Sequence, residues 1–196
     1  MKANIGMMYP VFAPISAYTP GSAITYGDGA VIQEAVSANI SWERSDNHFY
    51  GDDVELDNDN GILGYTITFE PSGLSDAARA LLLGEVTDSS SGVYEITGDA
   101  APEGGFGYIR VMRAENSNGR VVNTYDGWWF YKVRCGISAE ETRTKERQID
   151  WRVPTIEAVG SGVIVDESEK LKFAKHKNFA TAALAKAWLN GLANIT

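Results

Sequence analysis

A single cysteine, Cys135, excludes any internal disulfide framework. Histidine is almost as scarce: His48 and His176 are the only two, and they lie far apart in the chain. With no second cysteine, no HExxH pair and no GxSxG elbow, the chain lacks the usual motifs of a zinc site or a nucleophile–base triad. Bases are outnumbered by acids, 17 Lys+Arg against 26 Asp+Glu, for a formal net charge of -9. Nucleic-acid binding rests on clustered Lys and Arg against phosphate, so that class is disfavoured. A surface past which DNA must slide is a different matter, because there repulsion is useful. No apolar run approaches the ~20 residues of a membrane span. The start, Met1 to Pro14, carries one Lys and is too short and polar for a secretory signal. The expectation is a protein made and kept, or assembled, in the cytoplasm.

What is present is a core. Hydrophobic residues make up 44% of the 196, enough for one domain or a domain with an appendage. The pattern is mainly period two. Met7 to Ala13 reads as a strand ended by Pro14, with Pro10 suggesting an edge. From Ala30 to Glu43, Ile32, Glu34, Val36, Ala38, Ile40 and Trp42 alternate with polar residues, which predicts one long half-buried strand. Ile62 to Phe69 repeats this with Tyr65, Ile67 and Phe69. Between them, Ser45 to Gly61 is rich in Asp and Asn and reads as a long acidic loop with a short extended piece at Val54 to Leu56. Loops of that length are usually functional.

Leu74 to Leu83 predicts a helix, with Ser75 as N-cap, Asp76 in the first turn and Gly84 as the stop. Gly107 to Ala114, the Asn118-Gly119 turn, then Arg120 to Tyr125 and Trp128 to Gly136 predict a β-hairpin. Thr144 to Trp151 reads as an exposed strand ended by Pro154, and Thr155 to Val165 as a last short one. Beyond Asp166 the chain turns linker-like. An amphipathic helix then spans Phe179 to Leu192, with Ala180, Leu184, Trp188 and Leu192 at four-residue spacing. The expected organisation is a β domain over 1–165 and a linker with helix over 166–196.

Each chemical motif has a plainer reading. Cys135 alternates with strand residues and has no nearby His to activate it, so it reads as core. The acidic stretch fails the EF-hand spacing, which would put Leu56 at the first ligand position. A looser cation set from Asp57, Asp59 and Asn60 is the remaining metal option. Gly104-Gly105-Phe106-Gly107 lacks the GK[ST] of a phosphate loop and suits a bulge or close packing within a sheet. Trp128 and Trp129 point to opposite faces of a strand, so one belongs to the core and the other to a surface, interface or sugar platform.

The order of landmarks carries a resemblance. Tyr9-Pro10-Val11-Phe12-Ala13-Pro14 comes first, then Tyr50-Gly51-Asp52-Asp53 and Gly105-Phe106-Gly107-Tyr108-Ile109-Arg110. Trp129-Phe130-Tyr131-Lys132-Val133, Thr144-Lys145 and Pro154-Thr155-Ile156 follow. Over roughly residues 5 to 165 the chain resembles the major tail (tail-tube) proteins of long-tailed, non-contractile phages, the phi13-like group. It departs at Glu146-Arg147, where that group tends to have glycine, and residues 166–196 lie beyond the match. The resemblance implies a mainly β sandwich or barrel-like fold with a flanking helix, no enzymatic activity and no cofactor. It also implies homohexameric rings stacked into a virion tube, assembled in the host cytoplasm with other tail proteins. Double-stranded DNA would pass without specific binding, and six copies give about -54 per ring (6 × -9). Residues 44–61 would stack ring on ring, and the candidate contacts are Asp46, Phe49, Tyr50, Asp52, Asp53, Trp128 and Trp188. The alternative is a β-sandwich carbohydrate- or ligand-binding module, with Trp128 or Trp129 as the carbohydrate-stacking residue. A hydrolase with an unrecognised carboxylate pair is a third option.

Overall fold

The computed structural model describes residues 2–51, 54–88, 91–115, 120–139 and 153–196. The chain starts with the long strand β1 (Lys2–Ala17), the short β2 (Thr25–Tyr26) and β3 (Ala30–Val31), then β4 (Ala35–Arg44). A hairpin of β5 (Asn47–Gly51) and β6 (Val54–Asp59) leads into β7 (Ile62–Pro71) and helix α1 (Asp76–Leu83). Next come β8 (Val86–Asp88), β9 (Val93–Glu95), β10 (Glu103–Glu115) and β11 (Val121–Ala139). β12 (Thr155–Ser161), β13 (Ala174–Phe179) and α2 (Ala182–Ala193) complete the fold.

One antiparallel sheet organises the molecule, in the order β2-β1-β10-β11-β12-β7-β4, with β3 on β1 and β13 on β11. The mainly β fold with two helices is therefore as expected. The sheet curls strongly. β10 and β7 stand three places apart, about 14 Å along a flat sheet, yet Phe106 and Phe69 bring their ring centroids to 4.9 Å. Trp42 of β4 and Phe130 of β11, also three places apart, meet at 6.4 Å. The inside of the curl is an aromatic core containing Phe12, Tyr65, Phe69, Phe106 and Phe130, with Leu82 of α1 added to it. α1 starts at Ser75, whose side chain accepts from the Ala78 N–H, and ends at left-handed Gly84.

The opposite face holds a second core in which Trp129, Val11 and Ile109 pack against Ala185, Leu189 and Ala193 of α2. The glycines of the 104–107 run make this fit possible. A Cβ on Gly105 would stand 2.2 Å from Trp129 Cζ2, and one on Gly107 would stand 2.8 Å from Leu189 Cδ2. The run is close packing within a sheet, with a register shift between Gly104 and Phe106.

Several boundaries differ from expectation. β1 does not end at Pro14; it runs from Lys2 to Ala17. Pro10 is accommodated at a bulge between Met8 and Val11, where Tyr9 takes φ 57 and the Pro10 carbonyl accepts from the Ile32 N–H. The single strand expected over 30–43 is two, β3 and β4, and Val36 is exposed while Ala38, Ile40 and Trp42 are half-buried. The return of the hairpin is one continuous strand, β11. A further strand follows β12 where the sequence reads as linker: β13 pairs with β11 from Phe179↔Tyr125 to Ala174↔Phe130. The segment read as linker and appended helix is thus built into the main sheet and its second core. The buried stripe of α2 is Ala185, Leu189 and Ala193, one position on from the expected one, and Leu184 is exposed. The predicted strand at 144–151 and the Asn118-Gly119 turn lie outside the described residues.

Candidate functional site

The acidic excursion is the first candidate. It is a β-hairpin, not a loop: β5 pairs with β6 from Asn47↔Asp59 to Gly51↔Val54, with an irregularity at Phe49/Tyr50. Among the described residues it forms a two-stranded sheet of its own, apart from the main one. Its base is tied by the Ser45 N–H donating to the Gly61 carbonyl at 2.8 Å. Asp46 is an exposed residue at that base, and Phe49 and Tyr50 are positions on β5. Asp52 and Asp53 lie outside the described residues. Of the looser cation set, Asp57 and Asp59 fall on β6 and Asn60 follows it. Among the described residues no three His, Cys, Asp or Glu side chains gather as a metal site.

The second candidate surrounds Trp128. Register places Tyr108, Trp128 and His176 in one cross-strand row and Arg110, Asp126 and Asn178 in the next. The His176 ring stacks on the indole at 4.7 Å and 11°, and the Arg110 guanidinium lies 4.3 Å from its centroid. Trp128 Nε1 donates to Asp126 Oδ2 at 2.7 Å, and the other carboxylate oxygen faces His176 Nδ1 at 3.2 Å. Arg110 also donates to the Tyr108 hydroxyl, which burial pushes up in pKa while Arg110 counteracts it.

No sequence motif marks this cluster, because its members come from three strands and the polar β13 carries no period-two apolar pattern. Chemically it is an Asp–His pair without a partner nucleophile: the described contacts of His176 are Asp126 and Trp128, neither of them a hydroxyl or thiol. Nor does it suit a sugar platform, since Arg110 and His176 already lie against the Trp128 indole. Trp129 is fully buried, 0% exposed, with its ring edge-on to Tyr26 at 5.1 Å and Nε1 donating to the Tyr26 hydroxyl.

Trp188, the third candidate, is half-buried on α2. It packs against Phe179, ring centroids 5.7 Å apart, and its Cε3 would stand 2.9 Å from a Cβ on Gly127. Its ring is thus engaged with its own chain. Cys135 is 3% exposed and burial pushes its thiol up to about 12, far from the thiolate a nucleophile needs.

The class defined by these features is a curled antiparallel β protein with a helix on its outer face and a separate acidic hairpin. No protein-family model matches the chain, and no curated protein matches it in sequence. Among the described residues no helix is long and apolar enough to cross a membrane.

Proposed function

We propose that the chain is a structural subunit of a bacteriophage tail tube, forming hexameric rings that stack around a lumen through which DNA passes. The observation that carries this reading is the β5–β6 hairpin. Isolated two-stranded hairpins are marginal in water and need a surface to lie on. Among the described residues this hairpin pairs with no strand of the main sheet, although it is inserted between the neighbouring strands β4 and β7. A neighbouring subunit supplies such a surface in a polymer. The landmark order of the sequence supports the same reading. So does the charge of -9 per chain, which suits a conduit that DNA must not adhere to. Edge strands support ring formation: β4 ends the sheet order, and no described strand pairs with its outer side.

The test replaces residues 46–60 with a short Gly-Ser linker. The shortened protein is expected to keep its far-ultraviolet circular dichroism and cooperative melting while losing polymerisation. Normal tubes from the shortened protein would refute the role given to the hairpin.

A further inference from the structure

Charge is divided unevenly along this chain. Residues 45–61 hold six acids (Asp46, Asp52, Asp53, Glu55, Asp57 and Asp59) and no Lys or Arg. Residues 170–196 hold five lysines and no Asp or Glu, in a protein where acids outnumber bases overall. The fold gathers part of that basic segment on β13. Lys175 and Lys177 are two apart on the strand and so share its α2-side face. Lys177 is exposed, with its ammonium 5.5 Å from the Phe179 ring. Lys175 is half-buried, 5.4 Å from the Tyr131 ring, and borders a cavity of about 590 Å³ that Tyr26, Leu192 and Asn194 also line. Neither forms an ion pair with a described residue; the nearby Lys172, by contrast, is paired with Asp166. Desolvation without a compensating anion holds the Lys175 ammonium below its ordinary pKa. β13 pairs with β11 on one side only, and no described strand covers its other edge.

We propose that β13 is the surface on which the acidic β5–β6 hairpin of a second copy docks. The inference rests on the tail-tube reading and gives its hairpin a receiving site. A free strand edge supplies main-chain hydrogen bonds to an added strand, and side-chain charge selects which strand is added. In sequence, Asp57 and Asp59 of β6 have the same two-residue spacing as Lys175 and Lys177 of β13, and their charges are opposite. A free edge that carries lysines resists pairing with a copy of itself, and it accepts an acidic strand.

The experiment exchanges the charges. One variant carries Asp57→Lys and Asp59→Lys; the other carries Lys175→Glu and Lys177→Glu. Lys177→Glu alone serves as the milder version, because Lys175 is half-buried, and circular dichroism verifies the fold of each. Association is read by sedimentation velocity and negative-stain electron microscopy. Each variant alone is expected to associate roughly 10- to 100-fold more weakly than wild type. An equimolar mixture of the two should recover association, since the reversed hairpin of one fits the reversed strand of the other. Recovery when all four changes are in one chain, but not on mixing, would mean that the hairpin folds onto its own β13, and would overturn docking between copies. Normal tubes from each folded variant would overturn the docking site while leaving the tail-tube reading in place. A wild-type protein that stays monomeric at every concentration would overturn both.

Discussion

Replacing Gly105 by alanine tests the seat of Trp129, where the two cores meet across the sheet. The added Cβ would stand 2.2 Å from Trp129 Cζ2 and 2.7 Å from Tyr26 Cε1. Both rings are held: Trp129 is fully buried, and the Tyr26 hydroxyl donates to the Tyr131 carbonyl at 2.8 Å while accepting from Trp129 Nε1. The strand that carries Gly105 is itself fixed between β1 and β11. Overpacking of this kind costs about 1–3 kcal/mol, and rigid partners on two sides place Gly105→Ala at the top of that range. For a chain of this length, about 3 kcal/mol corresponds to a Tm lower by roughly 6–12 °C. Trp129→Phe shortens the ring system that meets the new Cβ. In that background the Tyr26 contact remains, so Gly105→Ala should still cost about 1–2 kcal/mol, giving a coupling of about 1–2 kcal/mol in a double-mutant cycle. Urea unfolding followed by circular dichroism supplies the four stabilities. Additive costs, with the same loss in both backgrounds, would refute the packing argument.

Ser75→Ala removes the cap of α1 and should cost about 1 kcal/mol by the same assay. Cys135 should react with a maleimide at pH 8 only on unfolding, because its thiol is pushed up to about 12; labelling of the native protein at the rate of a free thiol would contradict its burial. Burial also raises the pKa of Tyr26, Tyr65 and Tyr108. Groups raised on folding stabilise below their unfolded pKa and lose that contribution as pH rises, so stability should fall from about pH 9 upward. Unchanged urea midpoints between pH 8 and 11 would contradict this. Tyr65→Phe, which leaves the Lys132 carbonyl without its 3.0 Å donor, should cost about 1–3 kcal/mol.

How much of this was legible in the sequence varies with what fixes each element. α1 was readable because its cap, first-turn acid and Gly84 are local signals. The inward set Tyr65, Ile67 and Phe69 was readable because a half-buried strand records its period directly, and all three are fully buried. β13 was not: Ala174 to Phe179 holds Lys, His, Lys and Asn in succession, and its conformation is set by pairing with β11. Of the β5–β6 hairpin, the sequence pattern marks only the extended piece Val54 to Leu56, which falls on β6; Asp and Asn are poor strand formers, and the backbone ladder overrides that preference over the rest. The phase of α2 slipped by one because its buried stripe is two alanines and one leucine, while Leu184 faces outward. The Trp128 cluster depends on register among β10, β11 and β13, which no short motif encodes.

The central claim is assembly, and negative-stain electron microscopy of the purified protein across a concentration series tests it most directly. Hollow tubes or six-fold rings that disappear when residues 46–60 are removed are the predicted result. A protein that remains monomeric at every concentration, with or without the hairpin, would contradict the account.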